Sequence, residues 1–296
     1  MGRARVALVI GLLVHDSGKT WFSISLARYA SEKGYRVAVY KPVAGHSAWF
    51  QYHTLARSRE LGVLVGQDVS LYLEHLGISV NDIAIVNPID ILIAPISVEE
   101  YAKTGDFESY IVDLENQMKQ AVLARISSCR DRSHKHFIIS ENLKYVVPSL
   151  RKEIEELAKE LNAEPITMGK LLSYLKSSEI DKQLDECLNL LAQDKDLVLI
   201  ESFNDAITPY ATALRKTDLI IAITPGYALL YRDIETIYQA LKAEIYSRGE
   251  EGYRSMYVLK TIRPLEIVEL RTRLSISDID REAANKILEL FNIKTE

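Results

Sequence analysis

The feature that most constrains the fold of this chain is an apolar run followed by a polar loop, an amphipathic segment and a second apolar run. Residues 5–11 are rich in valine and isoleucine, as expected for a central parallel strand covered on both faces. Residues 20–33 have helical spacing, and Gly34 is placed to end that helix in a left-handed cap. Residues 36–41 predict a second strand, which completes a βαβ unit of about 30 residues.

The loop between this strand and helix is short and polar. It consists of His15, Asp16, Ser17, Gly18, Lys19 and Thr20. A Gly-Lys-Thr sequence between a strand and a helix is typical of a phosphate-binding P-loop, whose backbone N–H groups point at phosphate oxygens. Such a loop uses the Lys19 ammonium to neutralise phosphate charge and the Thr20 hydroxyl to bind Mg²⁺. His15 and His46 flank the expected phosphate site, and we expect both to be solvated, with a catalytic role as the second interpretation.

The match to the P-loop pattern is incomplete. The pattern has its first glycine at position 13, where this chain has Leu13, and the nearest glycine is Gly11. The loop is therefore one residue longer or makes its first bend with another residue, unless the segment is a simple strand–helix turn. Asp16 fits either a site role or a plain turn. The residues predicted to contact a nucleotide are Asp16, Ser17, Gly18, Lys19, Thr20 and Trp21.

Further elements are predicted from periodicity along the chain. Strands are expected at residues 137–139, 196–201 and 218–224, with a weaker strand at 256–260. Helices are expected at residues 150–161, 171–191 and 279–291. Ser277 with Asp280 forms a candidate capping box for the last of them. No Pro/Gly-rich linker divides the chain, so we predict one α/β domain over residues 1–296, with additional helices at about 105–190.

Composition and charge exclude several classes of protein. The 296 residues are 48% hydrophobic and 26% charged, which is typical of a globular chain rather than a disordered one. The net charge of −5 disfavours nucleic acid as the main partner, because phosphate neutralisation needs a basic face. No apolar run reaches the roughly 18 residues that span a bilayer. Cys129 and Cys187 lack a CxxC neighbour and suit a reducing compartment, so a cytoplasmic protein without a membrane partner is expected.

Four motifs occur in an order that resembles dethiobiotin synthetase. After the Gly-Lys-Thr loop come Lys-Pro-Val at residues 41–43, Gly-Gln-Asp at 66–68, and Asn-Pro at 87–88 before Ala-Pro at 94–95. The likeness covers about residues 1–100. It implies a three-layer α/β P-loop NTPase fold with a mainly parallel sheet, usually a homodimer. It also implies ATP and Mg²⁺ as cofactors, with γ-phosphoryl transfer to a small carboxylate or carbamate-like acceptor.

The resemblance also implies roles for individual residues. Lys41 matches a lysine that contacts phosphate or substrate, so Lys19 and Lys41 are the expected catalytic residues. Asp68 matches an acidic residue that binds Mg²⁺, together with the Thr20 hydroxyl. A glutamate that ends a middle strand completes the metal site. Glu201 is the favoured candidate because its apolar strand is longer, and Glu141, which also ends an apolar run, is the competitor.

Departures from the family pattern affect the acceptor rather than the phosphate-binding residues. Residues 202–205 read Ser-Phe-Asn-Asp where the family has a glycine-rich substrate loop, and Ile96 stands where it has histidine. The biotin precursor is therefore not the expected substrate. An ATP-dependent regulatory or switch protein that acts on a protein partner is the alternative. The basic stretch at residues 125–136 is expected to be a solvated loop, with binding of an anionic ligand or nucleic acid as the second interpretation.

Overall fold

A computed structural model describes residues 3–14, 17–272, 275 and 278–291 of the chain. These residues fold as an α/β protein with two mixed sheets. The chain divides into two compact units. The first comprises Met1–Val43, Tyr72–Ile78 and Leu184–Glu296, and the second comprises Ala44–Leu71 and Ser79–Gln183. The motifs of the sequence analysis therefore fall in both units.

The strands and helices are numbered in chain order. The strands are β1 (Arg5–Gly11), β2 (Val37–Tyr40), β3 (Val43–Ser47), β4 (Ile89–Ile93), β5 (Ala121–Ser128), β6 (Ser133–Ile138), β7 (Glu164–Pro165), β8 (Leu197–Glu201), β9 (Leu219–Thr224), β10 (Tyr227–Tyr231) and β11 (Glu266–Glu269). The helices are α1 (Lys19–Glu32), α2 (His53–Leu61), α3 (Gln67–Leu76), α4 (Ile83–Val86), α5 (Glu99–Thr104), α6 (Phe107–Glu115), α7 (Gln117–Gln120), α8 (Ser140–Leu143), α9 (Pro148–Glu160), α10 (Met168–Leu175), α11 (Ser178–Ala192), α12 (Ile234–Arg248), α13 (Ser255–Val258) and α14 (Arg281–Leu290).

The sheet of the first unit has the strand order β11-β10-β9-β1-β8-β2. β1 pairs in parallel with both β8 and β9, and β2 pairs in parallel with β8. β10 and β11 continue the sheet antiparallel. From β1 the chain continues to β2, which lies beyond β8 in the strand order, and from β8 it returns past β1 to β9. The two connections therefore run in opposite directions along the sheet. The carboxyl ends of β1 and β8 therefore form a topological switch point, the place where open α/β sheets bind ligands.

The sheet of the second unit has the strand order β3-β4-β5-β6-β7. The β4–β5 and β5–β6 pairs are antiparallel, and the short β7 pairs in parallel with β6. Apolar side chains from this sheet pack with α2 and α9 in one buried cluster that includes Leu55, Leu92, Leu123, Ile154 and Leu157. α9 contributes its apolar face to this cluster, so the helix is held by burial rather than by propensity alone.

The strongest periodic segments have the predicted structure. β1, β8, β9, α1 and α9 lie where the sequence places them to within two residues. Gly34 has φ +88° and follows α1 as a left-handed residue, as predicted. The terminal helix begins at Arg281, and the Asp280 side chain accepts a hydrogen bond from the Ala283 N–H at its start. Its proposed capping partner Ser277 lies outside the described residues.

Two predicted elements are wrong. Residues 171–191 form two helices, α10 and α11, because the Ser177 hydroxyl bonds the Tyr174 carbonyl and accepts from the Ile180 N–H at the junction. The weak strand predicted at 256–260 is instead the short helix α13. Its first backbone N–H, at Ser255, bonds the Asp205 carbonyl rather than a neighbouring strand.

The segment at 105–190 is only partly helical. It holds α6 to α11, as expected, but also β5, β6 and β7, of which only part of β6 was predicted.

Cys129 and Cys187 are both disulfide-bonded, so the expectation of reduced thiols is wrong. Within the described residues, none of the helices combines the length and the apolar character needed to cross a membrane.

Candidate functional site

A buried carboxylate at the end of β8 is the centre of the candidate site. Glu201 is 1% exposed and is the last residue of that strand. Its Oε1 accepts hydrogen bonds from the Thr20 hydroxyl at 2.8 Å and from the Lys41 ammonium at 2.6 Å. Its Oε2 accepts a hydrogen bond from the Tyr72 hydroxyl. Four residues that are remote in sequence therefore meet at the switch point of the first sheet.

The parallel register explains why these side chains meet. β1 and β8 align Val9 with Glu201, and β2 and β8 align Tyr40 with Ile200. Lys41 follows Tyr40 directly, so it leaves the sheet at the edge where Glu201 ends its strand. Thr20 reaches the same edge because α1 starts immediately after the loop that follows β1. The carboxyl ends of parallel strands thus gather the donors around one carboxylate.

The second part of the site is the Lys19 ammonium. Its Nζ donates to the Asn204 carbonyl at 2.7 Å and to the Ser17 hydroxyl at 3.2 Å. A Cβ on Gly11 would lie 2.8 Å from this Nζ and 2.7 Å from the Ser17 Oγ. Glycine at position 11 therefore leaves room for the lysine against the end of β1, and any larger residue would force the ammonium or the hydroxyl to shift.

Two residues near Lys19 have a left-handed backbone conformation, Gly18 and Asn204. Gly18 has φ +87° and precedes the first residue of α1, so this position favours glycine. Leu13 does not lie in the left-handed region, so its side chain is compatible with the loop although the motif would have glycine there. Asn204 is left-handed, with φ +43°, and directs its carbonyl to Lys19. Lys19 therefore follows one left-handed residue in the chain, Gly18, and bonds the carbonyl of another, Asn204.

Charged side chains from three elements lie at this edge of the sheet. Lys19 and Lys41 contribute ammonium groups and Glu201 contributes a carboxylate, and all three side chains are buried. The start of α1 adds the positive end of a helix dipole at the same place.

The oxygen donors of the cluster also fit Mg²⁺. The Thr20 hydroxyl and the Glu201 carboxylate present hard oxygen atoms 2.8 Å apart, and Mg²⁺ is usually bound by one or two carboxylates, water and substrate phosphates. The described residues contain no group of three or more His, Cys, Asp and Glu side chains arranged for a metal.

The remaining predicted site residues fall in different places. Asp68 lies in the first turn of α3, and Tyr72 follows it by four residues, so both occupy one face of that helix. Trp21 lies in the first turn of α1 and is 40% exposed. Asp16, together with His15, is outside the described residues. Glu141 lies in α8 and accepts a hydrogen bond from the Met168 N–H at the start of α10, whereas Glu201 contacts Thr20 and Lys41.

Two expectations about basic side chains are wrong. Arg125 is fully buried and donates to the carbonyls of Leu64 and Asn87 and to side-chain oxygens of Asn87 and Ser127, so it is not part of a solvated loop. His46 is 4% exposed on β3, with its Nδ1 2.9 Å from an Asp90 carboxylate oxygen. Local polarity suggested exposure for both, whereas tertiary partners make burial possible.

Three contributors to the site were missed by the sequence analysis. Gly11 was noted only as the nearest glycine, although it makes room for Lys19. Tyr72 carried no motif, and its spacing of four residues from Asp68 was its only signal. Asn204 contributes a backbone carbonyl, for which side-chain identity gives no indication.

No protein-family model and no curated protein matches this chain.

Proposed function

We propose that this chain is a P-loop NTPase of the dethiobiotin synthetase-like type that binds ATP with Mg²⁺. The observation that carries the proposal is the cluster at the ends of β1 and β8, where Thr20 and Lys41 bond Glu201 and Lys19 bonds the Asn204 carbonyl. These are the residue types that bind a triphosphate, at the sheet edge where α/β proteins bind ligands. The three-layer P-loop fold is part of the same proposal.

The proposed roles follow from the contacts. The Lys19 ammonium exchanges the Asn204 carbonyl for a phosphate oxygen, and Gly18 admits phosphate next to the backbone at the helix start. Thr20 and Glu201 hold Mg²⁺, with Asp68 as a further ligand on the basis of the resemblance. Mg²⁺, when bound, supplies charge neutralisation and orientation of the phosphates. Lys41 is released from Glu201 to face the transferred group.

The proposed reaction is γ-phosphoryl transfer to a carboxylate or carbamate-like acceptor. An acceptor oxygen forms a bond to the γ-phosphorus while the bond to the bridging β,γ-oxygen breaks, so ADP leaves and an acyl phosphate forms. Catalysis is mainly positioning and charge neutralisation by Lys19 and Lys41. The acceptor is a small molecule other than the biotin precursor, and the protein is a homodimer, as the resemblance implies.

Calorimetry of nucleotide binding tests this proposal. ATP is titrated with Mg²⁺ into the wild type, Lys19→Ala and Lys33→Ala, which removes an exposed lysine just after the same helix. We expect Lys19→Ala to weaken binding about 10- to 100-fold, the loss of one or two charge-assisted hydrogen bonds. Lys33→Ala should bind like the wild type. Negligible heats for all three proteins, with GTP and CTP as well as ATP, would end the proposal.

The second candidate is an ATP-dependent switch protein. One observation favours it: the loop at 202–205, which replaces the glycine-rich acceptor loop, is fastened by a 2.8 Å ion pair between Asp205 and Arg254. The same loop supplies the carbonyl that bonds Lys19, so a bound phosphate would change a contact that this loop makes. Stimulation of ATP hydrolysis by small carboxylic acids supports the enzyme, whereas stimulation only by a protein partner supports the switch.

A further inference from the structure

A second buried carboxylate, in the second unit, is the centre of a polar network. Asp90 is completely buried on β4. One of its oxygens lies 2.9 Å from the His46 Nδ1, and the other accepts the Gly66 N–H at 2.9 Å and lies 3.9 Å from Arg125. Burial alone would raise the pKa of Asp90, but His46, Arg125 and the Gly66 amide outweigh it and lower that pKa. Asp90 is therefore a charged group held entirely by protein partners.

The network converges on one short piece of backbone, residues 64–66. The Leu64 N–H donates to the His136 Nε2 at 3.1 Å, and the Leu64 carbonyl accepts the Arg125 Nε at 2.8 Å. The Val65 N–H donates to the Ser58 hydroxyl at 3.0 Å. Together with the bond from Gly66 to Asp90, each residue of this piece is fastened by a buried side chain. Burial and Arg125 lower the pKa of His136 to about 4, so the ring is neutral and can accept at neutral pH.

Gly66 adds a steric restraint to these bonds. A Cβ at this position would lie 3.0 Å from the His46 Nδ1, so the backbone lies directly against the imidazole ring. The Gly66 carbonyl accepts both the Ser70 N–H and the Ser70 hydroxyl, which makes it part of the first turn of α3. Asp68 lies in that same turn. The position of residues 64–66 therefore fixes where the Asp68 backbone begins its helix.

We propose that Asp90 is a positioning residue for Asp68, acting through the Gly66 N–H and supported by Arg125, His136 and Ser58 at residues 64–66. This inference rests on the proposed function, in which Asp68 is a ligand of Mg²⁺. A metal ligand binds well only when its carboxylate is held in place by outer partners. A buried network that fastens every residue of 64–66 supplies that restraint to a helix start that would otherwise fray.

The test separates metal binding from nucleotide binding. Mn²⁺ is used as a paramagnetic probe in place of Mg²⁺, and its binding to the full chain with ATP is followed by electron paramagnetic resonance. For Asp90→Asn we expect the metal concentration at half-saturation to rise about tenfold, the lower end of the effect of losing an outer partner of a ligand. Asp68→Asn should have at least the same effect. ATP affinity at saturating metal should change much less in both variants.

Two further variants keep the test decisive. Ser58→Ala removes the hydrogen bonds between the Ser58 hydroxyl and the N–H and carbonyl of Val65, and should raise the half-saturating metal concentration by a smaller factor. It therefore tests the inference if Asp90→Asn does not fold. Asn142→Ala breaks bonds to the carbonyls of Met118 and Ala121 in the same unit, and should leave the metal titration unchanged. An effect of Asp68→Asn without any effect of Asp90→Asn or Ser58→Ala overturns the inference. Absence of metal-dependent ATP binding in the wild type overturns the proposed function instead.

Discussion

The two buried carboxylates of this chain, Glu201 and Asp90, have similar burial but different surroundings. Glu201 ends a strand, and its neighbours are side chains from a loop end and two helix turns, including one ammonium, with a second ammonium at Lys19 nearby. Asp90 lies within a strand and forms a 3.9 Å ion pair with Arg125, which gives its hydrogen bonds to backbone and side-chain oxygens of other residues. Burial of charge alone therefore does not identify a ligand site. The two carboxylates differ in where they lie: Glu201 is the last residue of a parallel strand, at the edge where α/β sheets bind ligands, whereas Asp90 lies inside its strand.

The substitution with the largest expected effect breaks the buried network of Asp90 and Arg125 in the second unit. Arg125→Met leaves Asp90 buried without its guanidinium and the Leu64 and Asn87 carbonyls without donors. We expect the free energy of unfolding to fall by about 4–5 kcal/mol, towards the upper end for a broken buried pair. Urea denaturation followed by circular dichroism measures this loss. An unchanged midpoint would show that Arg125 is not structural.

The substitution with the next largest expected effect tests whether the cluster around Glu201 serves binding as well as folding. Lys41→Met removes one donor from Glu201 but leaves the Thr20 and Tyr72 hydroxyls in place, so we expect a loss of about 3 kcal/mol, less than for Arg125. Affinity for ATP with Mg²⁺ should fall about tenfold, because a positive charge is lost. Urea denaturation and calorimetry measure the two effects. A loss of stability without a loss of affinity would contradict the proposed role of Lys41.

Gly11→Ala tests the site around Lys19 by adding a methyl group without changing any charge. The added methyl group would lie within 2.8 Å of both the Ser17 hydroxyl and the Lys19 ammonium. We expect a loss of stability of about 1–2 kcal/mol, typical of modest overpacking, and weaker ATP binding. Differential scanning fluorimetry with and without ATP measures both. Gly34→Ala is the matched control: no atom lies within 4 Å of its Cβ position, and a left-handed φ is its only strain.

The smallest expected effect is a pH dependence of stability that arises from two histidines of the second unit. Burial and the nearby Arg125 lower the pKa of His134 and of His136 to about 4. The unfolded chain, with histidine pKa values near 6.5, therefore binds more protons between about pH 4 and 6.5. Stability should be complete above about pH 6.5 and should fall as the pH decreases through this window. His136→Gln, which keeps an acceptor for the Leu64 N–H, should flatten the slope by on the order of 1 kcal/mol in urea denaturation at pH 7 and pH 5. An equally steep slope in the variant would exclude His136 as a source.

The sequence predicted the first unit better than the second for a physical reason. β1, β8 and β9 are continuous apolar runs with a local signal, and the Gly-Lys-Thr loop lies where the pattern places it. β5 contains Arg125 at a position that is buried only because Leu64 and Asn87 supply oxygen atoms from elsewhere in the chain. Such partners are tertiary, so neither periodicity nor local polarity indicates them.

In the candidate site, the side chains were predictable from the sequence, whereas the backbone contribution was not. Lys19, Thr20, Lys41 and Glu201 were proposed as site residues from motifs and strand ends, and the structure places Thr20 and Lys41 on Glu201, with Lys19 bonded to the adjacent loop. Their roles with ATP and Mg²⁺ stay predictions. The Asn204 carbonyl was not predictable, because backbone geometry rather than side-chain type creates it.

The left-handed turn at Asn204 has a consequence for ligand entry. Its carbonyl accepts a hydrogen bond from the ammonium of Lys19, a buried residue, so folding replaces water around this cation with protein oxygen atoms. Under the proposed function, an incoming phosphate would therefore exchange one oxygen partner of this lysine for another, instead of removing water from a hydrated cation. Preorganisation of this kind lowers the cost of association.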